Sequence, residues 1–496
     1  IFMIALLLIL IPLLGGIITF FIKKEEGART WSLLAAIATF IVAILGFTIC
    51  NSAESLTYKA PWMGLLNSSF SIAADGMGAM LCMLTAISFP IIFVSTWNTR
   101  YSNAKNFLGL MLLTQAGLMG VFLAMDALLF YFFWELALIP VYFICSQWGG
   151  EKRIKVTFKF FIYTFVGSLL MLVGILYIYS KTNSFDITAF YNAQLPFDQQ
   201  MWVFWLFFLA FAIKMPIFPF HTWQPDAYQQ SPTAATMVLS GIMVKMGLLG
   251  LLRWLLPVLP VASYSWGDTV STMAVIGIIY ASLVALQQND MKRLVAYSSI
   301  AHIGLMCLAV FTENKSAVQG TMLQMFSHGI NILGMWVIVE IIERKFGTTK
   351  MSELGGIAKK APALTIFFFI IALANIALPL TNAFIGEFLM FNGILGVDPN
   401  ISKYGIPFAV LAGIGIVILG AVYTLKMARS VFLGETNSLT ESGTDIAFHE
   451  KAILGIIAVT IIVAGIYPHH LLHSFEDITN SILNKSDVLH LLKTKH

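Results

Sequence analysis

Runs of 18 to 25 apolar residues recur along this chain, and no other feature narrows its possible folds so far. A helix of about 20 residues crosses the roughly 30 Å hydrocarbon core of a bilayer. Inside that core every backbone amide must find its partner within the protein, which leaves only helices and closed barrels. The runs lack the two-residue alternation of a membrane-barrel strand, so the chain reads as an all-α, polytopic membrane protein. Composition agrees: 11% of the 496 residues are charged and 58% hydrophobic, with a mean hydropathy of +0.84, whereas a soluble domain carries about 25% charged residues. The net charge of +4 is spread over loops and gives no support to nucleic-acid binding.

Fourteen spans are predicted, at 1–22, 30–50, 71–96, 107–124, 126–148, 158–180, 201–220, 234–256, 269–287, 294–311, 317–343, 362–394, 406–430 and 451–468. The first lacks the charged leader and small-residue cleavage site of a signal peptide and reads as a retained span. Of the 29 basic residues, 19 fall in loops after odd-numbered spans and seven in loops after even-numbered spans or in the tail. The positive-inside bias therefore places the odd loops in the cytoplasm and both termini outside. The remaining three, Lys214, Lys245 and Arg253, lie inside spans. Arg253 stands near the outer end of its helix, where its side chain is expected to snorkel to the interface. The cysteines Cys50, Cys82, Cys145 and Cys307 are scattered through apolar runs without a C-x-x-C pair, and read as small buried hydrophobes.

The informative residues are charges that the apolar runs have not excluded. Glu135 lies in "LLFYFFWELALIPVYF", Lys214 in "FAIKMPIFPFHTW" and Lys245 in "TMVLSGIMVKMGLLGLL". His302 lies in "AYSSIAHIGLMCLAV", His328 in "GTMLQMFSHGINILGMW" and Glu387 in "IALPLTNAFIGEFLMF". Taken singly, such groups cost about ten kcal/mol or more together, and residues of this kind face a bundle interior or a wet cavity. Ordinary structural roles exist for each: a core imidazole bonded to a carbonyl, a Glu135–Lys214 ion pair, a packing lysine at 245. Six together between 135 and 387 favour a proton relay, in which Glu135 pairs with Lys214 and the proton moves through Lys245, His302 and His328 to Glu387. These side-chain types suit the task because burial and neighbouring charge bring their proton affinities close together.

Two of the six adjoin broken helix. Pro216 cannot donate to the carbonyl of Ala212, nor Pro379 to that of Asn375, so both carbonyls are expected to be open. Discontinuous helices mark ion sites in transporters, often at matching positions of two halves. Spans 4–8 and 9–13 form two five-helix sets with the broken helix fourth in each, which predicts inverted repeats. The expected organisation is an N-terminal three-helix segment (1–106), a first repeat (107–256), a second repeat (269–430), and a last helix with its tail (451–496).

At these residues the chain resembles the antiporter-like membrane subunits of respiratory complex I, the NADH:quinone oxidoreductase of bacteria and mitochondria. "FFWELALIPVYF" is similar to the family's glutamate motif, and "KMPIFPFHTWQPDAY" to its broken-helix lysine motif. "MVKMGLLGLLRW" and "NDMKRLVAYSSIAHIG" resemble two further family segments. Glutamate in "FIGEFLM", together with a tail too short for a lateral helix, matches the M type rather than the L or N type. The sequence departs from the family at Tyr228, where histidine is usual, and at Leu380 and Ala383, where glycines are usual.

The resemblance implies proton translocation driven by quinone reduction elsewhere in the complex. It implies proton-relay roles for Glu135, Lys214, Lys245, His302, His328 and Glu387. No cofactor or redox centre is implied in this chain, with flavin and iron–sulfur clusters in partner subunits. The implied neighbours are L- and N-type antiporter-like subunits and lipid, in a bacterial plasma membrane with both termini periplasmic. Alternatives are a subunit of a multisubunit sodium/proton antiporter or membrane-bound hydrogenase of the same fold, a bracing subunit without a relay, and an intramembrane enzyme. For the last, His221 and Asp226 are the nearest candidate pair, and a loop-capping role suits them better.

Overall fold

A computed structural model describes residues 3–48 and 53–486; Cys50 lies outside the described residues. Among the described residues, twelve helices are long and apolar enough to cross a membrane. They are α1 (Ile4–Phe21), α2 (Glu25–Thr48), α3 (Gly76–Ser95), α4 (Ala104–Leu123), α5 (Ala127–Trp148), α6 (Arg153–Thr182), α9 (Thr233–Leu255), α10 (Pro260–Gln287), α11 (Met291–Val310), α12 (Lys315–Phe346), α15 (Gly405–Phe432) and α16 (Phe448–Ile466). The two remaining apolar segments are interrupted. The seventh runs as α7 (Phe197–Lys214), turns, and resumes as the short α8 (Gln224–Gln230); the twelfth is split into α13 (Pro362–Asn375) and α14 (Asn382–Leu395). The spans read as 201–220 and 362–394 are thus broken at Lys214 and at Asn375.

Composition cannot tell a helix in lipid from one inside the bundle; burial does. The apolar windows of α9 and α12 are 100% buried, against 39% for α6 and 33% for α15. Lys245 and His328 therefore ride on the two most enclosed helices, and His302 on α11, which is 94% buried. Both α9 and α15 contain two π-helical segments, Leu239–Met243 and Leu251–Leu255 in the first, Ile414–Leu419 and Ala428–Phe432 in the second. Close helix contact depends on small residues. A side chain on Gly320 would come within 2.7 Å of the Met390 amide nitrogen, and one on Gly386 within 2.7 Å of Gln324 Oε1. These two glycines let α14 lie against α12 and carry Glu387 into the interior.

The loops segregate to two ends. At one end Asp126, fully buried, caps α5 through the amides of Leu128 and Leu129 and accepts from Ser68 Oγ and the Ser69 amide. Ser68 and Ser69 belong to an antiparallel hairpin of β1 (Thr57–Met63) and β2 (Ser68–Ala73), so the span expected from residue 71 starts as strand and becomes helix only at Gly76. The alternating exposure of β1 is the signal of period two that was available. A tail helix, α17 (Glu476–Ser486), docks at this end through buried Phe475, Thr479 and Ile482 and a Lys315–Glu476 ion pair.

Arg253 also lies at this end, and it does not snorkel. It is 1% exposed, its Nη2 donates to both carboxylate oxygens of Asp75 at 2.7 Å, and its Nη1 donates to the Phe122 carbonyl at 2.7 Å. A fixed carboxylate 178 residues away in sequence holds the guanidinium inside.

At the opposite end, the loop 434–447 supplies Asp445, whose carboxylate accepts from the amides of Ala363 and Leu364 and caps α13. Partial burial opposes its charged form, but the Ala363, Ile446 and Leu364 amides outweigh it and hold the carboxyl below its usual range. A depressed acid stabilises the fold above its unfolded pKa and loses that contribution as pH falls through the folded value. Asp445→Ala should cost about 1 kcal/mol, the worth of a side-chain cap. Thermal unfolding in detergent at neutral pH should show the loss, and the gap to wild type should close in acid.

Candidate functional site

Glu135, in the middle of α5, and Lys214, the last residue of α7, face one another across the first half of the bundle. They interact electrostatically, yet no ion pair closes between them, and both Glu135 Oε1 and Lys214 Nζ lack a hydrogen-bond partner. The expected direct pairing is therefore corrected. Lys214 is 2% exposed, with its ammonium 5.6 Å from the ring centre of Trp134, a cation–π approach that stands where a carboxylate contact was expected.

The first helix break also differs from expectation. The Ala212 carbonyl is not open: it accepts from the Ile217 amide at 2.9 Å, skipping Pro216. The next carbonyl, Ile213, accepts from the Trp223 indole at 3.0 Å. In the second break the carbonyl released by Pro379 is used by the site itself. Asn375 O lies 3.1 Å from His302 Nε2, and the neighbouring Ala374 O accepts from Asn331 Nδ2 at 3.2 Å.

The other four residues come together. Lys245 Nζ, fully buried, donates to Ser240 O at 3.1 Å and stands 2.9 Å from His328 Nδ1. Ser240 belongs to the first π-helical segment of α9, and such segments recur at functional sites. The rings of His328 and His302 are 5.8 Å apart between centres, and His302 Nε2 is 3.5 Å from Glu387 Oε1. An amine, two imidazoles and a carboxylate thus form a contiguous line across α9, α12, α11 and α14, each link short enough for a hydrogen bond or one intervening water. Along it Lys245 meets His328 first, and His302 lies between His328 and Glu387.

His302 sits among acceptors on both sides. Its Nδ1 is 2.8 Å from Ser298 O, while Nε2 faces Asn375 O and Glu387. A neutral imidazole donates from one nitrogen and accepts at the other, so Nδ1 can donate to Ser298 O while Nε2 faces the Glu387 carboxyl.

Several residues that frame this line were missed by sequence reasoning. Ser298 Oγ receives Tyr423 Oη at 3.0 Å and Asn375 Nδ2 at 3.3 Å, and Gln324 Nε2 donates to Glu387 Oε1 at 3.3 Å. Their signal was a polar residue one helical turn from a titratable one: Ser298 precedes His302 by four positions, and Gln324 precedes His328 by four.

No hydrogen bond or ion pair among the described residues joins Lys214 to Lys245; the Trp223 indole lies beside Lys214, on the Ile213 carbonyl. Asp226 is clamped by Lys159 and Arg293, each at 3.0 Å, while His221 packs on the rings of Phe218 and Tyr280. Leu380, where the resembled family has glycine, adopts φ +74° and is 70% exposed. That backbone region is strained for a branched side chain. Leu380→Gly should relieve about 1 kcal/mol and raise the thermal midpoint in detergent; an unchanged or lower midpoint would contradict this.

The sequence model of the family described as NADH:quinone oxidoreductase/Mrp antiporter transmembrane proteins matches residues 124–415. The chain belongs to this family. It is 36% identical over 491 residues to NADH-quinone oxidoreductase subunit M of Rickettsia typhi, covering 96% of this chain and 98% of the relative. It is also 36% identical to that of Rhodobacter capsulatus, covering 90% and 88%. Among solved structures, a chain of respiratory complex I from Thermus thermophilus with bound NADH superposes with a TM-score of 0.89 at 27% identity, covering 98% of this chain and 100% of that one. A chain of the Mrp complex from Dietzia sp. superposes at 0.85, with 17% identity over 98% of each chain, a likeness of fold. This member of the family is a multi-pass membrane protein.

Proposed function

We propose that this chain is the M-type, proton-translocating membrane-arm subunit of an NADH:quinone oxidoreductase. Protons move through Glu135, Lys214, Lys245, His328, His302 and Glu387, driven by quinone reduction in other subunits. The observation that carries this reading is the line Lys245–His328–His302–Glu387, in contact at both ends with its two rings 5.8 Å apart in the middle, in which Lys245 is fully buried and no other member is more than 5% exposed. Chemistry of this kind needs groups that exchange a proton over one hydrogen bond or one water, and the line supplies them at 2.9 Å and 3.5 Å.

In this reading the subunit holds no cofactor; flavin and iron–sulfur clusters belong to partner subunits, and L- and N-type antiporter-like subunits flank it in a bacterial plasma membrane. Both termini lie on the periplasmic side. The two five-helix sets are inverted repeats, supported by the broken helix fourth in each and by paired π-helical segments in the fifth. The test is NADH-driven proton uptake into inverted membrane vesicles, normalised to assembled complex. Lys214→Ala should lose uptake. Full-rate pumping by that variant would overturn the relay, and uptake that required sodium instead of NADH would favour an antiporter subunit of the same fold.

A further inference from the structure

Three of the nine histidines gather within five residues, His469, His470 and His473 of "HHLLH", on a short helix (His469–Ser474) that links α16 to α17. All three are exposed, and none belongs to the relay. The backbone that carries them is held at both ends. On the α16 side the Leu472 amide donates to the Pro468 carbonyl at 3.0 Å. On the α17 side Phe475 is fully buried, and the Ser474 carbonyl sits so close to Gly76 at the start of α3 that no Cβ would fit between them. The rings are thus free to turn in solvent on a fixed frame.

Residues four apart share one face of a helix, and two histidines at this spacing are a known zinc-binding arrangement. The ring centres of His469 and His473 are 6.1 Å apart. A metal bonded to two imidazoles at about 2.0–2.1 Å holds their ring centres about 5–6 Å apart, so a swing of the rings alone closes the pair on one ion. His470 is equally near His469, at 6.0 Å, but consecutive helix residues do not face one another, and its ring lies 5.6 Å from that of Tyr467. Glu476, the first carboxylate after the three histidines, is closed on Lys315 at 2.9 Å. No group of three His, Cys, Asp or Glu side chains among the described residues is placed to hold a metal. The pair therefore offers two protein ligands and leaves the other positions of an ion to water.

We propose that His469 and His473 form a binding site for a divalent transition metal of the zinc, nickel or copper class, open to solvent. Imidazole suits these ions, whereas magnesium and calcium take oxygen ligands and do not compete. An ion shared by the two rings ties one helical turn together and stiffens the link between α16 and α17. The site stands apart from the relay and does not depend on it.

The test is calorimetric titration of zinc chloride into the assembled, untagged complex in detergent, with magnesium chloride as the control. His469→Ala and His473→Ala should each weaken zinc binding by at least about tenfold, since even the loss of a group that only supports a ligand costs that much. His470→Ala should bind as the wild type does. Acid should release the ion, because a metal takes only the neutral ring. Hydrogen exchange at the amides of residues 470–474 should slow with zinc in the wild type and not in His473→Ala, a readout that zinc bound elsewhere would not move. Equal affinity in the wild type and both variants, or the same loss in His470→Ala, would overturn the assignment. Should either variant fail to assemble, exchange in the wild type decides: amides that zinc does not slow would overturn it.

Discussion

Lys245→Ala is expected to reduce NADH-driven proton uptake by about 100-fold or more, the scale on which a positioned proton carrier contributes, while the complex still assembles. Lys245 is the one amine in the contiguous line, in hydrogen-bond contact with both His328 Nδ1 and Ser240 O. Truncation leaves those two groups unpaired at about 1–3 kcal/mol each, a small loss against the packing of fourteen apolar segments. Lys245→Arg separates charge from proton exchange. Arginine keeps the positive charge but does not give up its proton in proteins, so it should pump as poorly as alanine. If arginine restored pumping, Lys245 would be a fixed charge and not a carrier. The measurement is uptake per NADH oxidised, with complex quantified on native gels.

Glu387→Gln should produce a loss of similar size, again on the order of 100-fold, by a different route. Glutamine preserves volume and a contact to Gln324 but can neither take up nor release a proton at the place 3.5 Å from His302 Nε2. Uptake per NADH oxidised in assembled complex measures the loss, and a full rate in Glu387→Gln would remove this residue from the relay.

All six titratable positions were legible in the sequence because charge inside an apolar run is expensive wherever the helix faces. Their grouping was less so. The carbonyl freed by Pro379 was readable from helix geometry, and His302 takes it; the equivalent reasoning at Pro216 failed, because the chain closed the gap with the Ile217 amide. The Glu135–Lys214 contact was inferred from complementary charge alone, and sequence carries no distance: Trp134 occupies the place beside the amine. Arg253 was taken for an interfacial residue because nothing in the sequence joins it to Asp75, 178 residues away and just inside the span read as 71–96. The hairpin of β1 and β2 was passed over because it is short and lies between two strong helical signals. The π-helical segments have no local signature in the sequence: Ile414–Leu419 reads as an ordinary apolar helix.

The central claim is that water joins these side chains across the middle of the bundle, and above all across the interval between Lys214 and Lys245. A map of the assembled complex fine enough to show ordered solvent measures this directly. The account predicts water density touching Lys214 Nζ, Gln224, the Tyr228 hydroxyl and Lys245 Nζ, and between the rings of His328 and His302. Close apolar packing in that interval, with no solvent within hydrogen-bond reach of either lysine, would contradict it.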